Sequence, residues 1–361
     1  MISARLADAH GKRMLESLPW EGQGTASRSQ AGPPPMPKHK VIFDTDPGVD
    51  DAMALLYIHF HPAFELLGVT TVLGNADVEI TTRNALYLKQ RFAIPAPVAK
   101  GAGEPIKKKA HKTATHVHGS DGMGDAGISL TVDVAPDPRP AWRFIVDTVK
   151  AHPHEVTIIA VGRMTNLALA LRHEPGIAKL VKAVSIMGGA FGINGHSGNV
   201  TPVAEANIIG DPDAADEILT APWPVAVIGL DVTHETVMTP DYLQKLREVG
   251  GDAGAFMWDI SRNYEKFYRE RAGLAGIACH DSLAVAYVIE PGWFTTRRGP
   301  VRVATEGVAI GQTIQHHQKR EFPGSPWEGH PAQTVAIAVD SRRFLDHYLD
   351  TFRRAAQAKG A

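Results

Sequence analysis

Four carboxylates fall within eight residues in Asp44-Thr45-Asp46-Pro47-Gly48-Val49-Asp50-Asp51, directly after the apolar run Val41-Ile42-Phe43. Acids this close repel one another unless a cation compensates. Oxygen ligands suit a hard divalent ion such as Ca²⁺ or Mg²⁺. Pro47 and Gly48 predict a tight turn that folds Asp46 back toward Asp50 and Asp51. The preference for acids in the first turn of a helix accounts for Asp50 and Asp51. It does not account for Asp44 and Asp46 at the end of a strand.

Other chemistry-bearing residues follow other apolar runs. Gly74-Asn75 follows residues 69–73, Gly162 follows 158–161 with Thr165-Asn166 opening a helix, and Met187-Gly188-Gly189 follows 184–186. The stretch Gly198-Asn199-Val200-Thr201-Pro202-Val203-Ala204-Glu205-Ala206-Asn207 adds two amides and a carboxylate, and Cys279-His280-Asp281 opens an apolar helix. Any one such Asn, Asp or Glu is ordinarily a loop or capping residue, and Asn75 and Asn166 taken singly read as structural. The weight lies in several strand tips converging on one edge of one sheet, where doubly wound folds bind ligands. His280 has the titration range for proton delivery near neutrality, against the plainer role of packing or capping its helix. Tyr264 and Tyr268 lie one helical turn apart, which ordinary amphipathic packing explains equally well. His111, His116 and His118 lack the thiolates of a typical structural zinc site.

The surrounding elements read as strand, loop and helix in alternation. Strands are predicted at 40–43, 66–72, 97–100, 156–161, 183–187, 225–230, 301–305 and 334–339. Helices are predicted at 50–60, 79–92, 142–150, 166–172, 213–219, 241–249, 255–269, 281–289 and from 341. The early strands are continuous β-branched runs, the pattern of a parallel sheet covered on both faces. The expected fold is therefore α/β, an open, mostly parallel Rossmann-like sheet flanked by helices. Long loops at 101–140 and 312–333 are candidates for closing over a site. Residues 1–38 differ: 21–38 are rich in Gly, Ser, Gln and Pro and predict disorder. Residues 1–20 permit a short amphipathic helix without the apolar core of a signal peptide, and Met36 would itself make a plausible start.

Composition excludes several classes. The chain has 361 residues, 37 Lys+Arg against 39 Asp+Glu, and a net charge of −2. That balance supplies no field for a nucleic-acid backbone or an anionic membrane. The one cysteine, Cys279, rules out an internal disulfide framework. The apolar runs are too short to span a bilayer, and a cytoplasmic location is expected.

At this point DTDPGVDDAMAL, VTTVLGN, HVHGSDGMG, MGGAF with GNVTPVAEANIIGDPDAA, and HDSLAVAYVI resemble the nucleoside hydrolases, the inosine-uridine-preferring N-ribohydrolase family. The resemblance runs in order from about residue 38 to 352. It implies a single domain over 39–361 and one Ca²⁺ held by Asp46, Asp51, Asp281 and the backbone carbonyl of Val161. It implies a Ca²⁺-bound water as nucleophile, Asp46 as general base, and His280 as proton donor to the leaving base. Asp50, Asn75 and Asn207 would grip the lower hydroxyls of ribose, and Asn199 and Glu205 the 5′-hydroxyl. Met187, His118, Tyr264 and Tyr268 would complete the substrate contacts. The implied partner is a small ribonucleoside, in nucleoside catabolism and salvage, and the implied assembly is a homotetramer or dimer. Ala206 stands where many relatives carry an aromatic residue, and 190–197 is slightly long, so the sequence fixes no base preference.

Two enzymatic alternatives remain beside ribonucleoside hydrolysis, and one binding role. The first is a hydrolase of another ribosyl compound or modified nucleoside. The binding role is a non-catalytic nucleoside-binding protein on the same fold; the intact set of Asp46, Asp51, His280 and Asp281 speaks against it. An aspartyl phosphatase also begins with a strand and Asp-x-Asp, but its later Thr/Ser and Lys are not evident and the second acidic pair is foreign to it.

Overall fold

The computed structural model describes residues 38–107 and 113–360. The segment expected to hold a short helix and a disordered linker, up to residue 37, and His111 lie outside the described residues.

Eight strands form one sheet: β1 (His39–Thr45), β2 (Phe64–Thr71), β3 (Val98–Ala99), β4 (Val156–Ala160), β5 (Ala183–Met187), β6 (Val225–Ile228), β7 (Phe294–Gly299) and β8 (Gln333–Val339). Their order is β3-β2-β1-β4-β5-β6-β8-β7. Every neighbouring pair is parallel except β8 and β7. Val41, Ile42 and Phe43 of β1 are wholly buried, as a central parallel strand requires. Strand β7 was not expected. Its sequence Phe-Thr-Thr-Arg-Arg-Gly buries only the two ends, so an antiparallel edge strand carries little apolar signal.

Helices cover both faces. On one face lie α1 (Val49–Phe60), α2 (Val78–Phe92), α6 (Gly251–Phe267), α7 (His280–Ile289) and α8 (Ser341–Gly360); on the other lie α3 (Ala141–Ala151), α4 (Thr165–His173) and α5 (Pro212–Thr220). Helix α1 is apolar on nearly all sides because α6, α7 and α8 enclose it against the sheet. This is the helix that opens on Asp50 and Asp51, so the acids start from a rigid, buried element.

Register brings the carboxyl ends of the central strands level: Asp44 faces Ala160, Ala160 faces Ile186, and Ile186 faces Val227. The expectation of a common sheet edge therefore holds for the segments after β1, β2, β4 and β5. It does not hold for His280 and Asp281. They follow Ile277–Ala278, which pairs antiparallel with Val237–Met238 outside the main sheet. Among the described residues no helix is long and apolar enough to cross a membrane.

Candidate active site

A cavity of about 550 Å³ opens over the aligned strand ends, within the usual range of small-molecule sites. Its floor is acidic. Asp46, Asp51 and Asp281 are each at most 3 % exposed. The turn after β1 organises them through the backbone. Thr45 Oγ1 donates to Asp51 Oδ1 at 2.5 Å, and the peptide N–H groups of Asp46 and Gly48 donate to the two Asp51 oxygens at 3.2 and 2.9 Å. Asn75 binds both acids: its N–H donates to Asp46 Oδ2 at 2.7 Å and its Nδ2 to Asp51 Oδ2 at 2.8 Å. Behind the floor, Asp44 accepts from Thr70 Oγ1 at 2.5 Å and Asn166 Nδ2 at 2.8 Å.

Carboxylate oxygens of Asp50, Asp51 and Asp281 all lie within 4.8 Å of one another, the one such ligand group of three or more His, Cys, Asp or Glu among the described residues. Asp46 stands beside this group. Asp46 Oδ1 and Asp50 Oδ1, and behind them Asp44 Oδ2, are buried without a hydrogen-bond partner. Unmet oxygens on clustered buried acids fit a divalent cation, because buried charge is paired or bound to metal. Burial and then Asp51 push Asp46 well above the usual carboxylate range. Burial raises Asp50 to about 6, and burial followed by Asp50 raises Asp51 to about 6. Burial, with Asp50, Asp51 and Asp46 behind it, raises Asp281 likewise.

The next edge is built by a helix terminus. Glu205 caps the short helix Ala206–Gly210, accepting from Asn207 N–H at 2.9 Å and Ile208 N–H at 3.1 Å, and it also accepts from Gly189 N–H at 2.9 Å. Asn207 Nδ2 donates to the carbonyls of Val161 at 2.7 Å and Met187 at 3.2 Å. Asn199 Oδ1 accepts from Ala206 N–H at 3.0 Å. The cap that orients Glu205 thus also fixes the amide of Asn207 and the peptide edges of Val161 and Met187.

Opposite the floor stands a wall of imidazoles and phenols. His280 Nδ1 meets Thr233 Oγ1 at 2.8 Å, and its Nε2 meets the Tyr268 hydroxyl at 2.5 Å. Tyr264 and Tyr268 are edge to face with hydroxyls 3.4 Å apart. His118 tilts over Tyr264, accepts from Val49 N–H at 3.3 Å, and lies 3.8 Å from Asp50 Oδ1. Burial lowers His118 to about 4 and lowers His280 well below the ordinary imidazole range. Burial raises both tyrosines, so the wall is electrically neutral.

The structure brings Asp50, Asn75, His118, Val161, Met187 and Asn199 onto one cavity with Glu205, Asn207, Tyr264, Tyr268, His280 and Asp281, and puts Asp46 and Asp51 in the floor beneath. Loop 101–140 contributes through Ala114 and residues 116–118, whereas no residue of 312–333 lines the cavity. His116 and His118 find no third His, Cys or acidic ligand among the described residues. Sequence reasoning missed His196 and His234, whose rings meet edge to face at 5.1 Å, with His234 5.4 Å from the His280 ring. It also missed Arg163, buried to 5 % exposure. A lone cation after a strand carries no local sign of burial.

Residues 41–346 match the family described as inosine-uridine preferring nucleoside hydrolase. The chain is 39 % identical over 322 residues to the inosine-uridine preferring nucleoside hydrolase of Crithidia fasciculata, covering 88 % of this chain and 98 % of that one. It is 38 % identical over 305 residues to probable uridine nucleosidase 1 of Oryza sativa subsp. japonica, covering 84 % and 93 %. A solved plant nucleoside hydrolase superposes with a TM-score of 0.84 at 34 % identity, over 88 % of this chain and 99 % of that one.

Proposed function

The chain belongs to the inosine-uridine preferring nucleoside hydrolase family and is a nucleoside hydrolase, and from that premise we propose the roles that its floor and wall play in cleaving the N-glycosidic bond of ribonucleosides. The observation that carries the reading is Asp46 Oδ1, a buried carboxylate oxygen without a protein partner at the acidic end of the cavity. Asp46, Asp51, Asp281 and the Val161 carbonyl, with Asp50 adjacent, would hold a divalent ion. The all-oxygen donor set favours Ca²⁺, which when bound acidifies and orients water and anchors sugar hydroxyls.

Asp46 takes the proton of the attacking water at Oδ1. Water oxygen bonds to the anomeric carbon as the bond to the base breaks, and positive charge develops on the ribose. The acids of the floor stabilise that charge. Asp50, Asn75 and Asn207 hold the lower hydroxyls while Asn199 and Glu205 hold the 5′-hydroxyl, which fixes the sugar for attack. Solvent protonates His280, whose Nε2 shares a hydrogen bond with the Tyr268 hydroxyl, and the imidazolium passes that proton to the departing base and returns to its neutral form. Asp46 releases the proton it gained to solvent. Met187, His118 and Tyr264 line the remaining surface. Ala206 is small, exposed and on the cavity edge, which favours as second reading a ribosyl compound with a larger or modified base. We assign the activity to residues 39–361, acting as a cytoplasmic homotetramer or dimer, by the same resemblance.

The test is a reducing-sugar assay over a panel of purine, pyrimidine and modified nucleosides, comparing wild type with Asp46→Ala. Loss of roughly 10³-fold or more in kcat is expected. Equal ribose release by the two proteins overturns the role of Asp46.

A further inference from the structure

We propose that Arg163 is a built-in counter-charge to the acidic floor, a positioning residue that steadies the clustered acids without metal and weakens their grip on a divalent ion. Among the described residues eight carboxylates, on Asp44, Asp46, Asp51, Glu205, Asp211, Asp231, Glu265 and Asp281, are buried, and Arg163 is the one buried lysine or arginine, at 5 % exposure. It follows Gly162, where a Cβ would come within 2.5 Å of Asp46 Oδ1. The backbone that carries Arg163 is therefore pressed against that carboxylate. Its stem crosses Gly210, where a Cβ would lie 2.3 Å from Nε and 2.7 Å from Cδ. The lack of a side chain at Gly210 is what gives the guanidinium its berth.

Arg163 makes no ion pair within 4.0 Å among the described residues; the carboxylates whose charges act on it from farther away, against its burial, are Asp46 and Asp211. Asp211 is already engaged by Thr165 Oγ1 at 2.7 Å, Ile106 N–H at 2.9 Å and Ala214 N–H at 3.2 Å. Arg163 Nη1 has no hydrogen-bond partner. An unmade bond on a buried guanidinium costs stability. What the residue supplies in exchange is a positive charge that no working pH removes. A metal ion and Arg163 answer to the same acids, so each weakens the hold of the other, a coupling that is reciprocal.

The inference rests on the reading that the floor holds a divalent ion. Calcium chloride is titrated calorimetrically into full-length, chelator-treated protein, and melting temperatures are taken with and without calcium. Arg163→Met keeps a stem and removes the charge; its calcium Kd falls roughly tenfold, and the gap between the two melting temperatures widens. Arg163→Lys stays within about twofold of wild type. Arg163→Gln, which also removes the charge but keeps a polar head, is expected to lower the calcium Kd likewise. Unchanged Kd in Arg163→Met, with both melting temperatures moved equally, overturns the inference and makes Arg163 merely structural. Folding of Arg163→Met only with calcium supports it. If that variant folds in neither state, Arg163→Gln decides: a fall in calcium Kd supports, no change or a rise overturns. Calcium binding absent from wild type overturns the metal reading of the floor and this inference together, whereas wild-type binding with unchanged variants overturns this inference alone.

Discussion

On the floor of the cavity Asp46, Asp50, Asp51 and Asp281 are crowded so that oxygens are left over; on the wall His118, Tyr264, Tyr268 and His280 bond to one another and to Thr233 and Val49. Burial acts on both regions but in opposite electrical senses. It raises the acids toward the neutral form, while their hydrogen bonds from Thr45, Gly48 and Asn75 favour the charged one. It lowers the histidines and raises the tyrosines, so the wall loses charge altogether. The floor is incomplete without a cation, and the wall is complete by itself. On the proposed mechanism that contrast would separate the tasks: the floor would serve the sugar, and the wall, uncharged at rest, would serve the base and its proton.

The sharpest break of this comparison is metal removal. Stripping divalent ions is expected to cost more than about 10³-fold in kcat/KM, with calcium restoring it; full activity in verified metal-free protein would make the floor self-sufficient. Changing the wall costs less. His280→Ala is expected to lose about 10²-fold or more on natural nucleosides, and far less on an aryl riboside whose leaving group departs as a stable anion. Equal losses on both substrates would reduce His280 to a packing residue.

The neutral-imidazole habit of the wall recurs away from the cavity and gives a smaller effect. Ala63 N–H donates to His61 Nδ1, His61 Nε2 meets His347 Nε2 at 3.3 Å, and His347 Nδ1 meets the Tyr57 hydroxyl at 2.8 Å. This chain ties α8 to α1. Burial lowers His61 to about 4 and lowers His347 as well. A histidine held below its unfolded value contributes stability above about 6.5 that is lost as pH falls toward 4. Between pH 6.5 and 4 the melting temperature of wild type should therefore fall relative to that of His347→Phe. Parallel slopes in the two proteins would remove these histidines from the account. The smallest effect is expected from deleting residues 1–35, which leaves kcat within about twofold; a collapse in turnover would give that segment a catalytic task.

The acids of the floor were legible because their spacing is local: a strand, a two-residue turn and a helix start lie inside one motif. The alternation of continuous β-branched runs with helical periods gave the parallel sheet for the same reason. What escaped depends on contacts between distant segments. Arg163 is buried because Gly210 makes room for it, a relation no window around either residue displays. His196 is held by Glu235, 2.5 Å from its Nε2, and reaches the wall through the His234 ring, which meets that of His280. Strand β7 is half polar because it is an edge. Loop 312–333 has the composition of a covering loop, yet composition does not say which side of the sheet it returns to.

Strand β1 is the first of the sheet to be synthesised and lies at its middle, between β2 and β4. Its acids therefore leave the ribosome long before the residues that complete them. Asp281 belongs to a helix near the other end of the chain, and the turn that fixes Asp46 against Asn75 gains its sheet neighbour β4 only after β2, β3 and the helices α1, α2 and α3 have been made. Assembly so dependent on distant pairings is slow. The floor can take up a cation only when nearly the whole chain is in place, so ion capture would mark the last step of maturation and would be denied to any fragment.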